Sequence, residues 1–272
     1  MKRCARFALL ASALMLPTLA AAHEFWLWPS PFSFPAGGTT TLGMYVGEHF
    51  DGEQIAVSPS HAAGLRAHAA GARGGQVAAQ PAPPSLKMTF TQPGTHIVAF
   101  DSAPSLLTLS ADKFHAYLHE EGLDAIIGQR EREGSAEKPG RERYRRHTKA
   151  LLKVGHADSA FGQRTGQRLE ILPLADPLSA SPGMTIGFRV LFDDKPLPGM
   201  LVKAWHRKGA QTLVIRARSD ADGQARFTLP YAGPWMVSTV HMIAAGAEEA
   251  DWDSFWGNLT FELPTRRPSK PR

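Results

Sequence analysis

His23 is the residue of this 272-residue chain whose position points most directly to chemistry. It follows a basic start (Lys2, Arg3), a short apolar stretch over 7–16 and the small residues 20–22, the pattern of a secretory signal peptide. Cleavage after Ala22 would give His23 a free α-amine beside its imidazole Nδ1. An α-amine titrates near about 7.7 to 8.0, so a metal ion displaces its proton at neutral pH. We therefore predict a signal peptide over 1–22 and a metal chelate at His23.

His241 in "WMVSTVHMI" is the second predicted ligand, because it shares a strand face with Trp235 and Val237. With the two nitrogens of His23 it would complete a three-nitrogen histidine brace. Planar nitrogen donation favours Cu(II), with Ni(II) next. The alternatives are that His241 is a half-buried structural histidine and that His23 lies in a frayed terminus. The apolar run over 25–28 favours a terminus that is held in place by burial.

His115 and His119 form a second candidate metal pair. They are four residues apart in a helical pattern, so their Cβ atoms would lie about 5–6 Å apart on one face. Ala116 follows His115 where the zinc-protease motif H-E-x-x-H requires a glutamate, and we exclude that activity. The alternative is a solvated helix face with two incidental histidines. No G-x-S-x-G motif is present either, so the sequence indicates no catalytic residue and a non-enzymatic protein is favoured.

Charge and cysteine content narrow the remaining classes. The 30 basic residues include three in the leader and four in the last eight positions, which leaves 23 against 25 acidic residues. Nucleic-acid binding is therefore not expected. The one cysteine, Cys4, lies in the leader, and no later stretch is apolar enough to cross a membrane. We expect a soluble chain without thiols that captures metal through nitrogen and oxygen donors.

The hydrophobic pattern predicts a mainly β fold made of two antiparallel β-sandwich units, immunoglobulin-like or transthyretin-like, with a helical insertion between them. Short alternating runs fill 23–110, and seven strand-length runs follow within 168–265. Between them, "ADKFHAYLHEEGLDAIIGQ" and "RERYRRHTKALLKVG" have helical spacing. We predict a signal peptide, an N-terminal sandwich, a helical insertion, a C-terminal sandwich and a basic tail, over 1–22, 23–110, 111–155, 168–265 and 266–272.

Several stretches resemble a known family. They are "AAAHEFWLWPSPFSFPAGGTTTLGMYVGE", "FHAYLHEEGL", "LFDDKPLPGMLVKAW", "SDADGQARFTLPYAGPWMVSTVHM" and "DWDSFWGNLTFEL". Together they are similar to the family numbered 4198 among domains of unknown function, whose members are often labelled nickel-uptake or cobalt-transport periplasmic proteins. The resemblance implies a secreted, two-part, β-rich protein with a connection to transition metals.

These observations lead to one expected function and two rivals. We expect a periplasmic protein that binds copper, nickel or cobalt through His23, with a membrane metal transporter as a partner. A structural or interaction module that recognises protein or carbohydrate would need no metal. A copper oxidase built on the same brace would need an open surface that faces its substrate.

Overall fold

The computed structural model describes residues 23–56, 62–69, 75–76 and 79–265. The predicted signal peptide and basic tail lie outside the described residues. Within them the chain is mainly β, as predicted, with two helices and three sheets.

The first sheet, sheet A, lies in the N-terminal half and has five strands. They are β1 (Glu24–Ser30), β3 (Thr39–Glu48), β4 (Asp51–Ile55), β7 (Ala79–Ala82) and β8 (Ser85–Thr89). Sheet C lies in the C-terminal half and has four, which are β12 (Leu169–Pro173), β13 (Thr185–Phe192), β14 (Lys195–Pro196) and β17 (Gln224–Thr228).

Sheet B is the ten-stranded layer between them. Its strands are β2 (Ser33–Phe34), β5 (Ala62–Ala69), β6 (Gly75–Gln76), β9 (Gly94–Ser102), β10 (Ser105–Leu109), β11 (Gly140–Val154), β15 (Leu201–Lys208), β16 (Gln211–Arg218), β18 (Gly233–Ala244) and β19 (Trp252–Leu263). All seven strand-length runs predicted over 168–265 are strands in the structure. Sheet B contains strands from both predicted sandwich regions, so the division at 110 and 168 is not visible as a break between sheets.

Sheet B buries both of its faces, and strand alternation sorts its side chains between them. In β19, Phe255, Leu259 and Phe261 pack into the core shared with sheet C. The opposite face of sheet B is covered by sheet A and by the two helices, α1 (Ala111–Glu120) and α2 (Asp124–Arg132). Odd-numbered and even-numbered residues of β18 and β19 therefore contact different layers.

The helical insertion was predicted over 111–155, and its second half was wrong. Helices α1 and α2 occupy the first half, but "RERYRRHTKALLKV" is the long strand β11, paired in parallel with β19 and antiparallel with β9 and β10. Ion pairs line the odd-numbered face of this strand, while Ala150 and Leu152 of the even-numbered face pack into an apolar core. Arg143, for example, forms ion pairs with Asp253 and Glu249.

Residues 60–85 are rich in Ala, Gly and Pro, a composition that favours a long loop, but part of this segment is also strand. Residues 62–69 form β5, which pairs with β9, and 79–82 form β7, which pairs with β8. Small residues are compatible with this pairing because the strands are joined through their backbones, β5 to β9 further along the chain and β7 to its hairpin neighbour β8.

The two helices lie against tryptophans of β19. Phe114 and Leu118 of α1 are fully buried and join Trp252 and Trp256 in one apolar cluster. Neither helix is long and apolar enough to cross a membrane, and no other described segment forms a spanning helix.

Candidate metal-binding site at His23

His23 lies immediately before β1, which is an edge strand of sheet A. Glu24 pairs with Gly47 of β3, so His23 stands next to Glu48 at the end of that strand. Its Nε2 is 3.6 Å from Oε1 of Glu48, and its side chain is 35% exposed. The Nη1 of Arg146 donates a hydrogen bond of 2.7 Å to the His23 carbonyl oxygen. The residue is therefore positioned at both its backbone and its ring.

Strand β1 is held against sheet B by side chains of β19. Asn258 donates through Nδ2 to the carbonyl oxygen of Phe25, and Thr260 donates through Oγ1 to that of Leu27 over 2.8 Å. Trp26 and Leu27 are almost fully buried. Burial and these hydrogen bonds together fix the chain that follows His23, as the apolar run over 25–28 predicted.

Thr260→Val is expected to lower the free energy of unfolding by about 1–3 kcal/mol, because a buried carbonyl loses its hydroxyl donor while the side-chain volume is kept. Amide hydrogen exchange in β1 should become faster. The matched control is Thr228→Val, which removes an exposed hydroxyl of β17 that hydrogen-bonds the hydroxyl of Thr185. Equal stability of wild type and Thr260→Val in chemical denaturation would show that the Thr260 hydroxyl does not hold β1.

His241 lies on the other face of sheet B from His23. In β18, Ser238 accepts a bond from Trp205 and donates to Glu24, so its even-numbered face contacts β1. His241 belongs to the odd-numbered face, where its ring lies 4.5 Å from that of Phe192 in sheet C. The sheet itself separates the two histidines. The predicted brace of His23 with His241 is therefore not formed, because strand alternation turns their side chains toward different layers.

The surroundings of His241 favour a neutral ring. Burial lowers its pKa to about 4, helped by the charge of Arg168 and opposed by Asp193. Arg168 and Asp193 pair with each other through two hydrogen bonds of 2.7 Å. The ring is half-buried against Phe192, which corresponds to the structural alternative given for this histidine.

His115 and His119 both lie on the exposed face of α1. The helix and their shared face are as predicted, and Phe114 and Leu118 occupy the buried face. Across the described part of the chain, no group of three or more His, Cys, Asp or Glu side chains is arranged to hold a metal ion.

A buried charge cluster that sequence reasoning missed lies beneath His23. Glu24 accepts from Ser238 over 2.7 Å, and burial raises the pKa of its carboxyl despite the nearby charge of Lys203. Both oxygens of Glu121, just after α1, accept from Lys203 Nζ over 2.7 Å. One signal was available in the sequence: an acidic residue stands inside the apolar run "HEFWLW".

Comparisons with known proteins give a match to a family model and matches to solved structures at low sequence identity. No curated protein matches the chain. Solved structures that are similar in part include the D0–D1 domain of intimin, at 11% identity and a TM-score of 0.23 over 88% of this chain and 97% of that one. Three N-terminal domains of the bacteriophage RB49 outer capsid protein Hoc give 9% and 0.21, over 89% and 71%. A Salmonella alpha-2-macroglobulin variant gives 9% and 0.23, over 87% and 14%.

These TM-scores are too low to establish a shared fold, and they add nothing to the assignment of function. The family is established by a family model that matches most of the chain. The model described as "Domain of unknown function (DUF4198)" matches residues 20–243, which include His23, both helices and all but the last residue of β18. This chain therefore belongs to the DUF4198 family.

Proposed function

We propose that this chain is an exported binding protein for a divalent transition metal, copper or nickel or cobalt, whose site forms at the N-terminal His23 after removal of residues 1–22. The observation that carries the proposal is the placement of His23: it stands at the start of a buried strand, half-exposed, with its ring facing Glu48. The other three predicted ligands are not needed for the chelate.

The donor set suits a Cu(II) or Ni(II) ion bound by nitrogen. The α-amine and Nδ1 of His23 would supply two donors from one residue, which Cu(II) favours most among the divalent first-row metals. Nε2 would remain free to donate to the Glu48 carboxylate. Such a carboxylate contact fixes the ring orientation and raises the basicity of a histidine ligand, and its loss typically costs about 10–100-fold in affinity.

Among the described residues, His23 is the one that we assign to the chelate, so the remaining coordination positions would be open to water or to a partner's ligands. An open site suits a carrier that passes its ion to a membrane transporter, because transfer requires a position that the partner can occupy. Export to the periplasm and the transporter partner belong to this proposal. We also propose that sheets A and C each form a sandwich with the shared sheet B, over 23–110 and 168–265.

The decisive experiment is a calorimetric titration of the exported protein with Cu(II) and Ni(II), after intact-mass measurement has established that it begins at His23. We expect one tight site, and His23→Ala should weaken Cu(II) binding by at least about a hundredfold, since it removes the imidazole donor. Glu48→Gln should weaken it by about 10–100-fold. His241→Ala should leave the affinity unchanged.

A chain acetylated at the α-amine of His23 is the matched control, because it keeps the imidazole and removes the amine donor. We expect it to bind Cu(II) as weakly as His23→Ala does. Equal affinities in the wild type, His23→Ala and the acetylated chain would reject the site.

The rival function is a structural or interaction module without metal. The observation that favours it is the lack of any three-ligand group in the described ranges 23–56, 62–69, 75–76 and 79–265. Absence of Cu(II) and Ni(II) binding by the mature protein would favour this rival. A copper oxidase, in contrast, would consume oxygen when the loaded protein is given a reductant.

A further inference from the structure

A small cleft opens beside β1 and is lined by residues of β1, β3, β4, β9, β10 and β11 and of the turn between β9 and β10. Its volume is about 170 Å³, enough for roughly six water molecules at about 30 Å³ each. The walls are mainly apolar: they are formed by Phe25, Val46, Ile55, Phe100 and Ala103. The polar groups at the cleft are Ser102, Ser105, Tyr144 and Arg146.

Arg146 supplies the charge of the cleft. Its guanidinium lies 5.5 Å from the ring centroid of Phe25, 5.2 Å from that of Tyr144 and 5.8 Å from that of Trp256. It hydrogen-bonds to the His23 carbonyl oxygen and to Tyr144. A guanidinium has five N–H donors in a planar fork, so these two partners leave donors for a ligand.

Arg146 differs from its neighbours on β11 because it has no ion pair. Arg143 and Arg145 both contact the Asp253 carboxylate, while Arg146 has no carboxylate within 4.0 Å in the described part of the chain. Two acids, Glu24 and Glu142, act on it from further away. Oε1 of Glu24 accepts from Ser238, and Oε1 of Glu142 accepts from Tyr117 over 3.1 Å and from Ser254, while Oε2 of Glu142 has no hydrogen-bond partner among the described residues.

A largely desolvated cation is normally paired, because removal of its water costs several kcal/mol that only a partner offsets. Here the unpaired guanidinium borders an open, apolar space of limited size. A ligand that fits both the unpaired guanidinium and the small apolar space has one negative charge and a short hydrocarbon chain. A guanidinium binds a carboxylate with two parallel hydrogen bonds, a geometry that an ammonium does not provide.

We propose that the cleft between Arg146, Phe25 and Phe100 is a binding site for a small monocarboxylate with a short apolar chain. The carboxylate binds the free donors of Arg146, and the hydrocarbon part packs against Phe25 and Phe100. A neutral molecule of the same shape would leave the guanidinium unpaired. Inorganic phosphate would leave the apolar walls without contact.

The site needs no metal ion and is independent of the proposed function. The probe for the cleft is butyrate, and its binding is measured on metal-free protein. A lack of butyrate binding would therefore not argue against metal binding at His23. A lack of metal binding would likewise not argue against the cleft.

The test is a tryptophan-fluorescence titration with butyrate, since Trp256 lies beside the guanidinium. Butyramide serves as the neutral analogue, and acetate and inorganic phosphate as anions without the apolar chain. We expect saturable butyrate binding that is at least about tenfold tighter than binding of the other three probes. Arg146→Gln should weaken it by at least about tenfold, whereas Arg146→Lys should recover only part of the affinity because an ammonium lacks the fork.

Arg145→Gln is the matched control: the arginine is adjacent on β11 but faces the opposite layer and contacts Asp253. It should bind butyrate as the wild type does. If Arg146→Gln fails to fold, Ala103→Leu gives the same answer, because it fills the cleft and leaves the guanidinium in place; it should abolish binding. Equal binding of butyrate and butyramide, no saturable butyrate binding, or equal losses in Arg145→Gln and Arg146→Gln would overturn the proposal.

Discussion

Lys203→Met is expected to lower the free energy of unfolding by about 3–5 kcal/mol near pH 8, the usual effect of removing one partner from a buried ion pair. Lys203 and Glu121 are both almost fully buried and bond over 2.7 Å. Glu24 lies close enough for Lys203 to lower the pKa of its carboxyl, against the raising effect of burial. One lysine therefore balances two buried carboxylates, and its removal leaves both without compensation.

The loss of stability should shrink as the pH falls. Burial raises the pKa of Glu121 to about 7, although Lys203 acts to lower it. Because the folded-state pKa is raised, the folded protein binds more protons than the unfolded chain between about 4.5 and 7, so this group's contribution declines as the pH rises through that window. Without Lys203, both acids take up protons at still higher pH and become neutral.

Urea denaturation of both proteins near pH 5 and near pH 8 checks this expectation. Lys208→Met is the control, since Lys208 is an exposed lysine at the end of the same strand, and it should change stability by less than about 0.5 kcal/mol. A loss of the same size at both pH values would contradict the shared-charge account, and a loss below about 1 kcal/mol would show that the acids do not depend on Lys203.

The strands that could be predicted from the sequence are those whose hydrophobic pattern is local. Alternation and turn residues predicted the strands over 168–265 because those segments are apolar, and their pattern is local. Strand β11 was missed because its pattern is completed by distant residues: Arg143 and Arg145 are paired by Asp253, about a hundred positions later. Charged residues with partners of this kind have the same composition as an exposed helix face.

The candidate site could be predicted in part, because some of its signals are local in the sequence. The position of His23 follows from the leader and from the apolar run after it, both of which are local. Whether His241 could be its partner depends on which face of β18 contacts β1. The alternation of residues along a strand defines two faces, but it does not show which layer covers each face. Glu48 was missed because its closeness to His23 depends on the register of β1 and β3, which pairs Glu24 with Gly47.

A second buried lysine should be as important, with the opposite dependence on pH. Lys149 of β11 donates to Glu170 over 2.9 Å, and neither side chain is more than 2% exposed. Burial acts to raise the pKa of Glu170, but Lys149 and the two donors of Thr165 outweigh it, so that pKa lies below its usual value. A depressed carboxyl pKa contributes stability above about pH 4.5 that is lost as the pH falls through the folded-state value.

Lys149→Met is expected to lower the free energy of unfolding by about 3–5 kcal/mol at neutral pH, because Glu170 then remains charged and buried with only Thr165 and the more distant Arg164 beside it. The double variant Lys149→Met/Glu170→Gln should recover most of that loss, since the glutamine oxygen still accepts from Thr165 and carries no charge. Lys153→Met, which removes a half-buried lysine of the same strand, should cost less than about 1 kcal/mol.

The double variant separates the two explanations of a loss in Lys149→Met. If the missing lysine acts through packing, the second substitution should add a further loss. If it acts through the charge of Glu170, neutralising that charge should restore stability, and the stability of Lys149→Met alone should rise as the pH falls toward the range in which Glu170 takes up a proton. Recovery in the double variant would establish that the buried charge of Glu170 is what makes Lys149 indispensable.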